Sequence, residues 1–329
     1  VIGDIAMTAF TLDVHLPADF AIEALRQDAL AGLTAAPKSL PPKWFYDKVG
    51  SELFEEITRL REYYPTRAER EILEQRAGEI ARSSGCDTLL ELGSGSSEKT
   101  RLLIDAMRSS QGLRRYVALD VSADALTDAG LSLVGDYPGL VVHSLVADFE
   151  HQLDLLPRGG RRLVAFLGST IGNFDPAGRE RFLQHLRATL TPGDRFLLGA
   201  DLVKSPEVLV PAYDDAQGVT AAFNRNVLSV LNQGLGADFV LEEFDHVAIW
   251  DADNEWIEMR LESRTTQDVR VDALDLDVRF EAGEQMRTEI SSKFRREGLT
   301  GELAAAGFTP AGWWTDDAGR FSLSLWEPA

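Results

Sequence analysis

The sequence predicts an α/β protein: a doubly wound, largely parallel sheet joined to a second, α+β part. Three observations predict it. From Asp87 to Asp201, short apolar runs alternate with helical segments. The first run ends in a glycine-rich turn, Gly93-Ser94-Gly95. After Asp201 the alternation stops and other helix and hairpin patterns follow. Apolar strands separated by helices bury both faces of a parallel sheet.

The elements follow in order. Residues 1–20 have no clear period and read as a loosely ordered start. Residues 21–32 place apolar side chains at helical spacing and end in Gly32. The prolines of APKSLPPKWFYD hold that stretch out of regular structure, as a rigid loop. SELFEEITRL reads as a short amphipathic helix capped by Ser51, and a further helix follows Pro65 to about Ala81. TLLELG is a buried strand. The second strand ends at Asp120, the third near Asp148, and the fourth runs into Gly168-Ser169-Thr170-Ile171-Gly172-Asn173-Phe174. After the helix ERFLQHLRATL, the turn Pro192-Gly193-Asp194 opens a fifth strand. Residues 206–234 read as helical, two strands flank Asp251-Ala252-Asp253-Asn254, and 302–308 is a helix. A terminal hairpin turns at Asp317, Ala318 and Gly319.

Composition narrows the function. The 329 residues are 44 % hydrophobic and 26 % charged, as in a globular protein with a buried core. A net charge of −20 opposes binding to nucleic acid or to an anionic membrane. No apolar run reaches the roughly 20 residues of a membrane span, and the acidic N-terminus does not resemble a secretory signal. Cys86 is the only cysteine, so no intramolecular disulfide forms. It reads as a small structural residue, and a cytoplasmic location is expected. Five scattered histidines give no metal-ligand spacing, so no metal is expected. A self-repelling surface of this charge fits a monomer.

The chemistry concentrates at strand ends. In Glu91-Leu92-Gly93-Ser94-Gly95, bare glycines let a ligand approach the backbone at a helix N-terminus. Glu98 occupies the third glycine position of the dinucleotide pattern, where an acid would repel a pyrophosphate. A ligand without phosphates fits better. Asp120 is placed to accept from ribose hydroxyls. Asp148 and Phe149 suit an adenine, one accepting from its amine and the other covering its face. Each acid also reads as a strand-end turn residue. Asn173 offers an amide donor to a carboxylate and an acceptor to an amine, or stabilises its own loop.

The first turn resembles that of class I S-adenosylmethionine methyltransferases. The stretches TAAPKSLPPKWFYD, LFEEITRLREYYPTR, LELGSGSSEKTR, FLGSTIGN, AYDDAQGVTAAFNRN and TEISSKF narrow the match. Across most of its length the chain resembles the histidine Nα-methyltransferases of ergothioneine biosynthesis. These convert L-histidine to its trimethylated betaine, hercynine, with S-adenosyl-L-methionine as methyl donor.

The resemblance implies a Rossmann-like class I methyltransferase sheet over 68–203 plus 294–329. It implies a substrate-binding domain over 18–67 plus 204–293. Gly93, Lys99, Asp120, Asp148 and Phe149 would hold the cofactor. Tyr63, Asn173 and Tyr213 would surround the substrate's carboxylate and amino end. Tyr46 and Phe54 would line the amine side, with the Gly168 carbonyl orienting the amine. Glu289 and Ser291 would bind the imidazole, with Met259 near the ring. Two residues apart on an extended strand, Glu289 and Ser291 share a face.

The expected chemistry is in-line attack by a neutral amine, resting on positioning and electrostatics. Tyr46 is a candidate to accept or relay the proton. Tyr hydroxyls and an Asn amide would hold the carboxylate with no full positive charge nearby. Methylation of another amino acid or small amine is the alternative on the same scaffold. Without the resemblance, Tyr63, Tyr213 and Met259 read as packing residues, Glu289 as a solvated acid and Lys99 as a surface lysine.

Overall fold

The computed structural model of the protein describes residues 9–95, 99–110 and 112–329. In chain order the elements are β1 (Phe10–Val14), α1 (Phe20–Thr34), α2 (Lys48–Arg59), α3 (Pro65–Ser84), β2 (Thr88–Leu92), α4 (Thr100–Ser110), β3 (Arg115–Asp120), α5 (Ala123–Asp136), β4 (Val141–Val146), β5 (Arg162–Phe166), α6 (Pro176–Thr189) and β6 (Arg195–Asp201). There follow α7 (Val219–Leu235), β7 (Phe244–Asp251), β8 (Trp256–Ser263), β9 (Gln267–Val271), β10 (Leu276–Phe280), β11 (Gln285–Ser292), α8 (Arg296–Ala305), β12 (Phe308–Thr315) and β13 (Phe321–Pro328). A one-turn helix at Pro206–Leu209 and short 3-10 turns lie between them. The chain divides into two compact units. One comprises β1, Arg67–Leu202 and Phe294–Ala329; the other is Ala18–Thr66 with Val203–Lys293.

The first unit is an eight-stranded sheet in the order β1-β4-β3-β2-β5-β6-β13-β12. Every pair from β1 to β6 is parallel, and β13 runs antiparallel between β6 and β12. The central strands are apolar because both faces are covered: every residue of β2 and β5 is buried. Strand order reverses at β2, from which β3 and β4 lie to one side and β5 and β6 to the other. Ligands of open α/β sheets bind beyond the strand C-termini at such a reversal. Gly93, Asp120, Asp148 and Gly168 all follow or end strands there.

A buried ion pair fixes the far end of this sheet. Arg162, at the start of β5, is 2 % exposed and Asp194, before β6, is 1 % exposed. Arg162 Nη2 reaches Asp194 Oδ2 at 2.6 Å and its Nε at 3.2 Å. Asp194 also accepts from the backbone N–H of Arg162 and of Thr191. Burial pulls the Asp194 carboxyl up, but these donors more than offset it and hold it below the usual carboxylate range.

In the second unit β11, β8 and β7 form an antiparallel sheet, and β9 pairs with β10. Helix α7 buries Phe223, Val227, Leu228, Leu231 and Leu235 on the face that packs against α1, α2, β7 and β8. The spacing of those residues is that of one helical stripe.

Several local expectations are corrected. Residues 10–14 are not loose: they form β1, paired in register with β4. The partner lies far along the chain, and five residues carry too little periodicity to announce a strand. Helix α2 starts before Ser51, and Asp47 is its cap, accepting from Gly50 N at 2.7 Å. Residues 213–218 are a turn, because Asp215 accepts from the N–H groups of Gln217, Val219 and Thr220 and so opens α7. The third strand ends at Val146, two residues before Asp148, and the last helix is Arg296–Ala305 rather than 302–308.

Asp194→Ala leaves a buried guanidinium without its carboxylate and should destabilise the fold by about 3–5 kcal/mol at neutral pH. The folded carboxyl lies below its unfolded value of about 3.9, so its contribution is present above that pH and fades below it. Denaturant melts at pH 7 and in strong acid should show the gap between wild type and variant closing with acid. A gap independent of pH would show that Asp194 acts through packing alone.

Candidate active site

At the tips of the first unit's strands, Gly93 follows β2 with φ +66° and donates its N–H to the Leu119 carbonyl at 2.8 Å. A Cβ at Gly93 would sit 3.6 Å from the Phe149 ring, so the bare backbone leaves open the space in front of that ring. Asp120 ends β3. Its Oδ2 accepts from Gly95 N at 3.1 Å and its Oδ1 from Ser122 N at 3.1 Å. Burial pushes this carboxyl up, only partly offset by those N–H groups. Carboxylates accept more bonds than two, so Asp120 keeps capacity for a diol.

Asp148 has a structural job as well. Its Oδ1 accepts from Glu150 N at 2.8 Å and its Oδ2 lies 3.0 Å from His151 Nδ1. Phe149 packs edge-on against Phe166, Phe174 and Phe182, half-buried over the core. Glu98 lies outside the described residues. Glu91 is buried between Thr100 Oγ1 and Tyr116 OH, both at 2.6 Å, and burial raises it to about 7.

Lys99 is not a free surface lysine. Its ammonium pairs with Glu69, which is 0 % exposed. The other oxygen of Glu69 accepts from Gly168 N at 2.8 Å. One buried carboxylate on α3 thus joins the start of α4 to the turn after β5. Gly199 makes this possible, because a Cβ there would come within 2.3 Å of Glu69 Oε1. In that turn Gly168 and Ser169 both have positive φ, and Ser169 Oγ accepts from Asp201 N at 2.9 Å. Asn173 closes the turn, half-buried, and its side chain hydrogen-bonds to none of the described residues.

In the second unit, the structure brings together Tyr46, Phe54, Tyr63 and Tyr213. Ring centroids are 5.5 Å apart for Tyr46–Phe54, 6.0 Å for Phe54–Tyr63 and 6.4 Å for Tyr63–Tyr213. Phe223 of α7 backs this wall. Met259 faces Glu289 across the β8–β11 ladder, and Ser291 stands two residues on. Directly opposed residues and i, i+2 neighbours share a sheet face. The Glu289 carboxylate has no hydrogen bond or ion pair among the described residues. Burial raises its carboxyl to about 7, with Lys293 pulling the other way. Tyr46 keeps 46 % of its surface open, yet atoms crowd it closely. Burial first, then Glu289 and Tyr213, push its phenol well up, so its hydroxyl stays neutral.

Sequence reasoning missed the groups that hold these. Lys293, 3 % exposed, donates to Tyr213 OH at 2.7 Å and to Ser291 Oγ at 2.8 Å. The expectation of no full positive charge near Tyr213 is therefore wrong. On the other side, Asn224 Oδ1 accepts from Thr288 and its Nδ2 donates to Arg260 O and His246 Nδ1. That leaves His246 Nε2–H to donate to the Tyr213 carbonyl at 2.8 Å. Burial lowers the His246 pKa, consistent with this neutral tautomer. The bulge between Arg287 and Glu289 marks Thr288's place in the ladder. A bulge cannot be read from TEISSKF alone. No cluster of potential metal ligands occurs among the described residues. A groove of about 360 Å³ bounded by Arg296, Trp313 and Trp326 holds none of the site residues.

Among doubly wound sheets, an antiparallel hairpin placed beside β6 marks the class I S-adenosylmethionine-dependent methyltransferases, and the strand tips here suit a nucleoside without phosphates. The PH0226 protein of Pyrococcus horikoshii shares the fold, with a TM-score of 0.50, 16 % identity, and coverage of 86 % of this chain and all of that one. The chain belongs to the histidine-specific, S-adenosylmethionine-dependent methyltransferase family, whose model matches residues 25–328. It is 60 % identical over 311 residues to the histidine N-alpha-methyltransferase of Mycolicibacterium smegmatis, covering 94 % of this chain and 97 % of that one. It is 34 % identical over 212 residues to ergothioneine biosynthesis protein 1 of Neurospora crassa, covering 63 % of this chain and 24 % of that one.

If Asp120 accepts from the cofactor's ribose, Asp120→Ala should weaken S-adenosylhomocysteine binding by about 1.5–3 kcal/mol, roughly ten- to a hundredfold. Titration calorimetry measures this directly. Unchanged affinity in a folded variant would leave Asp120 with only its backbone-capping role.

Proposed function

We propose that the protein transfers three methyl groups in succession from S-adenosylmethionine to the α-amine of L-histidine, giving hercynine, the first step toward ergothioneine. The observation that carries the substrate class is Glu289: an unpaired carboxylate beside the Ser291 hydroxyl on one strand face, at the end of an aromatic wall. A ring with an N–H and a bare nitrogen matches that pair.

S-adenosylmethionine supplies an electrophilic methyl group. In this reading the first unit holds it, through Gly93, Lys99, Asp120, Asp148 and Phe149. The second unit is the substrate-binding domain. Glu289 accepts from the imidazole N–H and Ser291 serves the other nitrogen, with Met259 packed beside the ring. Tyr63, Tyr213 and Asn173 hold the carboxylate and amino end, and the Gly168 carbonyl orients the amine. The rings of Tyr46 and Phe54 line the amine side and tolerate the cation that forms there. Because Tyr46 stays neutral, it passes the amine's proton onward through its hydroxyl. Catalysis then rests on positioning and electrostatics. Among the described residues no helix is long and apolar enough to cross a membrane. We place the protein in the cytoplasm as a monomer, where the buried Cys86 thiol stays reduced.

Incubation with S-adenosylmethionine and each amino acid in turn, read by mass spectrometry, should give trimethylated histidine. Robust methylation of tryptophan or tyrosine with histidine untouched would overturn the assignment in favour of another amino acid. Glu289→Ala should raise the histidine KM by about tenfold or more while leaving S-adenosylhomocysteine affinity within about twofold. Equal losses for both ligands would make Glu289 structural.

A further inference from the structure

A buried ammonium is costly unless donors and charges around it are matched. Lys293 sits at the end of β11 with almost no exposure. Its Nζ lies 4.7 Å from the centre of the Tyr213 ring and donates to two hydroxyl oxygens, those of Tyr213 and Ser291. Those hydroxyls are themselves 2.8 Å apart. An ammonium has only donors, so both oxygens accept from it. Two hydroxyl hydrogens remain, and the bond between the hydroxyls uses one. A phenol is the stronger donor of the two, so Tyr213 donates to Ser291 Oγ. Both lone pairs of Ser291 are then occupied, and its own hydrogen turns away from the triad. No described residue accepts that hydrogen.

We propose that Lys293 is a positioning residue for the substrate ring: by filling the lone pairs of Ser291 it makes that hydroxyl an obligate donor, so that Ser291 and the carboxylate of Glu289 together accept only a ring bearing one N–H and one bare nitrogen. The proposal rests on the reading of Glu289 and Ser291 given above. A doubly protonated ring would present two donors and meet no acceptor at Ser291. The same ammonium acts on Glu289 through space and favours its ionised form. Tyr46 and Tyr213 are the other titratable groups acting within this cluster. Both are phenols whose anions would oppose that charge, which leaves Lys293 as the cation that sustains it.

The test compares wild type, Lys293→Met and Lys293→Arg as full chains. It measures kcat and KM for histidine from about pH 6 to 9, together with S-adenosylhomocysteine affinity and melting temperature. Methionine keeps the length of the side chain and removes the charge and the donors. Lys293→Met should raise the histidine KM by about tenfold with cofactor affinity within about twofold. It should also move the acid limb of kcat/KM to higher pH, because Glu289 loses the cation that favours its anion. The substrate's imidazole titrates in every variant, so only the displacement between profiles counts. Lys293→Arg retains the charge but not the geometry. It should keep the limb near that of wild type while still raising KM.

An active wild type, with KM and limb unchanged in Lys293→Met, overturns the proposal alone. If Lys293→Met does not fold, Lys293→Arg decides: a KM equal to that of wild type overturns it. A wild type that forms no methylated histidine overturns the functional reading, and this proposal with it.

Discussion

Glu69 places a carboxylate where none of its surface reaches solvent, and the first unit's strand tips are arranged around that fact. An isolated carboxylate at 0 % exposure would be untenable. Two groups make it tenable, the Lys99 ammonium and the Gly168 N–H. They come from neighbouring strands at the centre of the sheet, one from the start of the helix after β2 and the other from the turn after β5. Each is held by one oxygen of the same carboxylate, so neither turn shifts without leaving that buried charge short of a partner. The missing side chain at Gly199 is what admits the carboxylate. The strand tips are thereby held as one piece.

The second unit uses the same principle with the sign reversed. Lys293 is the buried charge, and the hydroxyls of Tyr213 and Ser291 are its partners. Tyr213 is gripped at its other end through a neutral relay, in which Thr288 sets Asn224, Asn224 sets His246, and His246 holds the Tyr213 carbonyl. Asn224 Nδ2 donates to both the Arg260 carbonyl and His246 Nδ1, which fixes the imidazole of His246 in a single tautomer. The Glu289 carboxylate is left without a hydrogen-bonded partner among the described residues. A group that is raised to about 7, crowded and without a partner marks where a ligand is expected to complete the set.

What the sequence disclosed follows from how far each signal reaches. The parallel core was legible because β2, β5 and β6 are apolar on both faces, and Gly93 and Asp120 announce themselves by standing where those runs end. The second unit's aromatic wall and Glu289 became legible only through resemblance to a family, since Tyr63 or Glu289 alone reads as packing or as a solvated acid. Glu69 was invisible. It lies in Arg67-Ala68-Glu69-Arg70-Glu71, which reads as a solvated helix face, and its acceptor role depends on Gly168, 99 residues later. Lys293 was hidden in the same way, within a run that ends Phe294-Arg295-Arg296 and looks like a basic surface. Long-range partners decide whether a charged residue is buried, and no local window contains them. The same holds for β1, whose only strand signal is the edge of β4, and for Asp47, which takes the capping role because the chain bends one turn earlier than Ser51 implies.

That edge has a consequence for handling the protein. β1 covers one side of β4 with a short strand, ending at Val14 with most of its side chain open to solvent. Proteolysis or trimming that removed Phe10–Val14 would uncover a row of unpaired amides and carbonyls on β4, beside the exposed Val141. A bare edge of that kind recruits strands from neighbouring molecules. Shortened preparations would then turn cloudy on concentration, for a reason that has nothing to do with catalysis.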